Sequence, residues 1–306
     1  MIYQFDNFQI TLSLTVRVLI GGLKMKVLLI SIMLFCETGV FAQNKTDLEK
    51  VVETEKSFAR FADEKGMKAA FLEFLADDGI MFAPNVVNGK EYFRARPESP
   101  ATLSWYPVFA DVSSNGVLGY TTGRGEFRPK GKTDTTAYYS DFATVWRRQA
   151  DGNYKAVLDI GISHDKPTVS DMNWTSPKIP SGKIADENKP LAASAMSLFF
   201  DTATTKGLSK AYKNFAAEDV RFLREGKFPI LGKDNALLEI KKSKITFGKG
   251  ATMESAGDLG YSITSYEMKS GEKIIEKGNI VQVWKLVGGR WQIVLDAFAP
   301  IPPEQK

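Results

Sequence analysis

The chain contains a long internal repeat, in which segments of its first half recur in the same order in its second half. The matched pairs share residue type and order: Glu73–Asp78 with Asn214–Asp219, Leu118–Tyr120 with Leu259–Tyr261, Val145–Arg147 with Val283–Lys285, and Tyr154–Asp159 with Trp291–Asp296. The distance between partners along the chain drifts only slightly, as small loop deletions would produce. This pattern indicates two copies of one folding unit. In a chain of 306 residues, each copy is long enough to bury its own core.

Both copies begin with helices and continue with strands. In the first copy, Thr46–Glu49 has the pattern of a capping box and Gly66 marks the end of the helix. In the second, Pro190 suits a first helical position and Gly207 marks the end. Long strands follow, separated by turn signals such as Asp151–Gly152. Helices followed by an antiparallel meander predict the α+β class.

The amino-terminal segment has the pattern of a secretory signal. Met25 is followed by a lysine, by the short apolar run Val27–Phe35, and by Val40–Ala42, which has the pattern of a cleavage site. We therefore predict translation from Met25, cleavage after Ala42, and a periplasmic or secreted mature protein without a stable membrane span. The alternatives are a membrane anchor over Ile10–Phe35 and a lipid attached to Cys36.

These patterns divide the chain into segments. The predicted segments are 1–42, an upstream extension plus signal peptide; 46–164, the first domain; 165–189, a linker rich in proline and serine; and 190–302, the second domain. We also predict that the two domains form an intramolecular pseudo-dimer, or that the protein is a homo-oligomer.

Composition limits the possible partners and cofactors. One cysteine and one histidine provide neither a disulfide framework nor a Cys/His metal site, and no Asp-rich calcium loop occurs, so we predict no metal and no cofactor. The net charge of +4 is spread over mixed-sign surroundings, which argues against a nucleic-acid partner. A small-molecule ligand remains the predicted partner.

Several motifs carry a family resemblance. They are a predicted turn, Ala76–Gly79, a predicted helix that begins with Gly89–Glu91, a predicted strand, Leu118–Gly123, and the segments Val145–Arg147 and Val157–Asp159. With them the chain resembles the domain of unknown function 4440, of the SnoaL-like and nuclear transport factor 2-like superfamily. The resemblance implies two tandem cone-shaped domains, each with amino-terminal helices packed in a curved antiparallel sheet around an apolar pocket. The superfamily includes isomerases, dehydratases, cyclases, epoxide hydrolases and binding modules, so the resemblance leaves the activity open.

Alternation along the strands places Asp141 on one face with Ala143 and Val145, which we interpret as the concave, pocket-lining face. Asp141 and Asp159 are the candidate acid/base residues, because burial raises the pKa of a carboxylate; a purely structural role is the alternative. The second copy has Asn279 in place of Asp141, so acid/base work is expected in the first copy. The candidate ligand-binding residues are Trp105, Tyr120, Tyr139, Tyr261, Asn279 and Asp296. His164 is predicted to be an exposed linker residue.

Three functions fit these observations. The first is a binding module for a small, mostly apolar ligand in one or both cavities. The second is a cofactor-free isomerase or lyase that uses an aspartate as base and a tyrosine as hydrogen-bond donor. The third is a structural pseudo-dimer with no ligand. The number of polar groups that converge in a cavity distinguishes them.

Overall fold

The structure is a computed structural model that describes residues 46–168, 172–177, 191–240 and 244–303. The predicted signal peptide, with Met25, Cys36 and Ala42, lies outside the described residues, as do Pro190 and much of the expected linker. Within the described ranges, no helix combines the length and the apolar character that crossing a membrane requires.

The first half contains three helices and one six-stranded sheet. Its elements are α1 (Asp47–Lys65), α2 (Met67–Phe74), β1 (Leu75–Phe82), β2 (Val86–Asn88), α3 (Gly89–Arg94), β3 (Thr102–Val112), β4 (Leu118–Arg128), β5 (Tyr138–Arg148) and β6 (Tyr154–His164). The strand order is β2-β1-β6-β5-β4-β3. The capping box is present, because the Thr46 side chain accepts from the Glu49 amide at 3.2 Å and Glu49 accepts from the Thr46 amide at 2.7 Å.

The second half repeats this arrangement. Its elements are α4 (Ala192–Lys206), α5 (Leu208–Phe215), β7 (Ala216–Arg224), β8 (Ile230–Leu231), α6 (Lys233–Leu238), β9 (Lys244–Phe247), β10 (Thr252–Ala256), β11 (Leu259–Ser270), β12 (Lys273–Val287) and β13 (Arg290–Pro300). The described strands form one sheet with the order β10-β11-β12-β13-β7-β8, in which β9 also pairs with β11. The α+β class with helices followed by curved sheets is confirmed, and the architecture is consistent with two cone-shaped domains.

Each sheet is mixed rather than purely antiparallel. β1 pairs with β6 in parallel, and β7 pairs with β13 in parallel. The sequence analysis interpreted Ala76–Gly79 as a turn, whereas these residues belong to β1. The interpretation failed because the exposed Asp77 and Asp78 interrupt the apolar pattern while the backbone remains extended.

Each sheet is covered on both faces. The inner face, as we call the side toward the helices, packs on α1 and α2 in the first half and on α4 and α5 in the second. The outer faces of the two sheets pack against each other, in a cluster that includes Phe109, Val145, Ile160, Ile263 and Val283. Apolar residues therefore occupy both sides of the central strands.

Candidate functional site

A cavity of about 630 Å³ lies between the helices of the first half and the inner face of its sheet. Its wall is mainly aromatic and apolar, with Phe58, Phe71, Phe93, Trp105, Tyr139 and Phe142 among the lining residues. The cavity reaches the sheet where two residues, Gly125 and Gly161, have no side chain to fill the space. Its size is within the range of small-molecule sites.

Asp159 presents a carboxylate to this apolar wall. It lies on β6 opposite Thr144, whose hydroxyl donates to Asp159 Oδ1 at 2.7 Å. Burial raises the pKa of Asp159 to about 6, and the hydrogen bond from Thr144 opposes this shift. The side chain keeps some exposure toward the cavity. Asp159 therefore acts as a hydrogen-bond acceptor near neutral pH, and it has the pKa of a usable base.

Glu55 on α1 is a second buried carboxylate, which the sequence analysis missed. It accepts from Trp105 Nε1 at 2.5 Å, from Thr121 Oγ1 at 2.5 Å and from Trp146 Nε1 at 3.2 Å. Burial is the main cause that raises its pKa to about 7; the negative charge of Asp159 adds to the rise, and the hydrogen bonds oppose it. Because Trp105 lines the cavity, Glu55 fixes the orientation of one cavity wall.

A signal for Glu55 was present in the sequence. It lies three or four residues from Val51, Val52 and Phe58, and so falls on the apolar stripe of an amphipathic helix. A carboxylate on a buried stripe requires hydrogen-bond partners, and here two indoles and a hydroxyl provide them.

The second half lacks this arrangement. Asp296, the partner of Asp159 in the repeat, is 0% exposed and binds Arg224 at 2.6 Å, the Tyr212 hydroxyl at 2.9 Å and Gln282 Nε2 at 2.8 Å. Met196 takes the place of Glu55, at the same distance from the glycine that ends the helix.

The cavity in the second half is also smaller, at about 150 Å³. Phe298 occupies the position of Gly161, two residues after the repeated aspartate, and it packs against Tyr266. Phe298 thus fills space in the second half that Gly161 leaves open in the first.

The predicted placement of Asp141 on the concave face is wrong. Asp141 lies near the outer face, buried, with its carboxylate 2.8 Å from His164 Nε2, and burial raises its pKa while the nearby His164 lowers it. The inner face instead carries Phe142, Thr144 and Trp146. Since both faces of the sheet are covered, an apolar face did not identify the concave one.

His164 was also placed wrongly. It is the last residue of β6 and is buried beside Asp141 and Phe228. Its Nδ1 donates to the carbonyl of Asp165 at 2.6 Å. The histidine thus joins the sheet to the second half instead of lying in an exposed linker.

The other predicted ligand-binding residues divide into two groups. Trp105 and Tyr139 line the cavity with Asp159. Tyr120 packs in the cluster between the two sheets, and Tyr261 lies there too, donating to Glu254 at 2.9 Å. Asn279 donates to the carbonyl of Pro84 at 3.3 Å, across the contact between the halves. Among the residues described, no group of three or more His, Cys, Asp or Glu side chains could hold a metal ion.

No protein-family model and no curated protein sequence matches the chain. It is similar to the solved structure of an NTF2-like protein of unknown function from Shewanella oneidensis, with 16% identity, 35% of this chain and 98% of that chain covered, and a TM-score of 0.31. A conserved protein from Planctomyces limnophilus has 22% identity, with coverages of 36% and 94% and a TM-score of 0.29. An NTF2-like protein from Cytophaga hutchinsonii has 15% identity, with coverages of 37% and 100% and a TM-score of 0.30. These TM-scores assign neither a family nor a function to this chain.

Proposed function

We propose that the first half of this protein binds a small, mostly apolar molecule in its cavity, with Asp159 as the polar contact. The observation that carries the proposal is a cavity of about 630 Å³ with an aromatic wall and one accessible carboxylate. Burial of an apolar ligand against this wall supplies affinity, and Asp159 favours a ligand that donates a hydrogen bond.

The proposal also covers the family of this protein and its location outside the cytoplasm. The motifs of the sequence analysis support a tandem nuclear transport factor 2-like protein with domains of the 4440 type. Export to the periplasm or the medium is supported by the lysine after Met25, the apolar run Val27–Phe35 and the cleavage pattern at Val40–Ala42. Neither point is needed for the ligand site, which depends on the cavity alone.

Filling the cavity tests the binding function. Gly161→Phe introduces the residue that the second half has at this position, and a Cβ there would meet only Ser140 Oγ, at 3.9 Å. The ring is therefore expected to enter the cavity without straining the backbone. We expect the neutral fluorescent probe N-phenyl-1-naphthylamine to bind the wild type, and to bind Gly161→Phe more than tenfold more weakly, as measured by fluorescence titration.

Gly250→Phe is the matched control, because open space surrounds the Cβ position in its turn. It should bind the probe like the wild type. Circular dichroism establishes that each variant is folded, and Gly161→Val provides a smaller plug. Equal probe affinity in the wild type and in a folded Gly161→Phe variant would contradict the proposal.

A second function, that of a cofactor-free isomerase or lyase, is favoured by the raised pKa of Asp159 in a cavity that Tyr139 also lines. In this mechanism Asp159 takes a proton from carbon next to a carbonyl and returns it, while a tyrosine donates to the carbonyl oxygen. Asp141 is not in the cavity and is not a candidate for this step.

This function predicts hydrogen exchange at a bound carbon acid. In deuterated buffer, the wild type should exchange the α-protons of 2-tetralone, and the rate should rise as the pH passes through about 6, because only ionised Asp159 is a base. Asp159→Asn should slow the exchange by about 100-fold or more, as measured by NMR. If the wild type exchanges no faster than buffer, the isomerase hypothesis fails and the binding function stands.

A further inference from the structure

A second concavity, which we call the central groove, lies between the two halves of the protein. Its volume is about 530 Å³. The first half contributes Phe82 and Gly161 to its wall, and the second half contributes Ile274, Ile275 and Pro300. The groove is therefore formed only when both halves are in place.

The central groove adjoins the cavity of the first half. Phe82 and Gly161 line both spaces. The register between β1 and β6 ends with Ile80 opposite Leu158, and further along β6 the carbonyl of Ser163 accepts from the Gly226 amide at 2.8 Å. Gly161 lies between these two points and has no side chain. The pairing of β6 with β1 thus ends before Gly161, and this edge offers an apolar chain a route out of the cavity.

The floor of the groove is apolar although solvent reaches it. Ile274 and Ile275 are adjacent on β12, and they remain 45% and 47% exposed. A single exposed isoleucine needs no explanation, but two in a groove that also contains prolines provide a surface for an apolar ligand. Glu225, Glu276 and Lys277 also line the groove, and the two carboxylates outnumber the one cation, which disfavours an anionic occupant.

We propose that the ligand is an elongated apolar alcohol, whose hydroxyl donates to Asp159 and whose chain passes Gly161 into the central groove. This inference rests on the proposed binding function and specifies its ligand class. A hydroxyl fits because Asp159 accepts hydrogen bonds, whereas a carboxylate or phosphate head group at this position would be repelled by it. Arg96 also lines the cavity, and its guanidinium lies over the Tyr92 ring, 3.9 Å from the ring centroid. The ligand is inferred to be elongated because two adjoining spaces, of about 630 and 530 Å³, would accommodate it.

A series of unbranched primary alcohols tests this proposal. Each alcohol from 1-hexanol to 1-tetradecanol competes with N-phenyl-1-naphthylamine, and the displacement gives its affinity. For the wild type we expect affinity to increase up to about fourfold with each added CH₂, and to keep increasing through the longest members. In Ile274→Ser/Ile275→Ser, short alcohols should bind as in the wild type, while 1-tetradecanol should bind about tenfold more weakly.

Val287→Ser is the matched control, because Val287 is a β-branched residue on the same strand, is 48% exposed and does not line the groove. It should bind every alcohol like the wild type. Ile275→Ser alone keeps the test available if the double variant does not fold.

The outcomes separate the two proposals. If the probe does not bind the wild type, the binding function fails. If the probe binds but no alcohol displaces it, the ligand is not an alcohol and the inference is overturned. If short alcohols displace it but the gain ends at the same chain length in the wild type and the double variant, the cavity binds and the groove does not. The last two results would overturn the inference and leave the proposed function intact.

Discussion

Replacement of Lys285 by methionine is expected to lower the free energy of unfolding by about 3–5 kcal/mol. Lys285 on β12 is buried between the two halves, with 5% of its side chain exposed. Its ammonium lies 3.0 Å from Asp111 and 3.5 Å from Asp258, and it donates to the carbonyl of Val112 at 2.9 Å. Methionine keeps most of the volume and removes the cation that two buried carboxylates share.

The repeat provides a control for this experiment. Arg147 is the partner of Lys285 in the first half, and it contacts Asp78 and Glu254, whose side chains are 64% and 36% exposed. Arg147→Met should cost no more than about 1 kcal/mol, because water screens and solvates these carboxylates. Both variants are compared by urea denaturation.

A second substitution shows whether charge causes the loss. Asp258→Asn, added to Lys285→Met, should recover part of the stability, since the neutral amide keeps an oxygen for the Ser114 amide that now donates to Asp258 at 2.6 Å. A loss in Lys285→Met as small as that in Arg147→Met would show that the buried cation does not hold the halves together.

The free energy of unfolding of Glu55→Gln, relative to that of the wild type, is expected to increase by roughly 3 kcal/mol as the pH rises from 4 to 8. Burial raises the pKa of Glu55 from 4.5 to about 7, so the folded protein holds this proton more tightly than the unfolded chain. The stabilising contribution is fully present below pH 4.5 and is lost as the pH rises to about 7. Glutamine does not ionise, so the free energy of unfolding of Glu55→Gln lacks this dependence on pH.

The measurement is the free energy of unfolding of both proteins between pH 4 and pH 8. The stability of Glu55→Gln relative to the wild type should increase over this range, because titrating groups that do not interact with Glu55 are common to both proteins and cancel in the difference. Glu53→Gln, on the same helix but with a half-exposed side chain, should show little change. A difference between Glu55→Gln and the wild type that does not vary with pH would contradict the raised pKa.

Much of the local structure followed from the sequence. The capping box at Thr46, the glycines that end α1 and α4, and the turns between long strands depend on neighbouring residues, and the structure has these elements. The repeat likewise predicted two similar sheets, because matched segments in the same order indicate two copies of one folding unit. β1 and β7 were not predicted, since their parallel pairing joins residues far apart in sequence.

The candidate site was predicted only in part. Trp105, Tyr139 and Asp159 were identified and do lie together at the cavity. Asp141 was interpreted as their neighbour because it shares a strand face with Ala143 and Val145. That reasoning assumes one apolar face per sheet, whereas here the outer face is buried as well. Alternation shows which residues share a face, but it does not show what covers that face.

The sequence by itself determined the α+β class, the duplicated order of elements and the presence of polar residues on otherwise apolar strands. Only the tertiary structure decided which face of each sheet meets the helices, and that Glu55 is surrounded by Trp105, Thr121 and Trp146. It also decided that the first half keeps a large cavity where the second half has only a small one. The reason is physical: secondary structure arises from interactions between near neighbours, whereas a cavity and the pKa of a buried carboxylate depend on which distant side chains occupy the same volume.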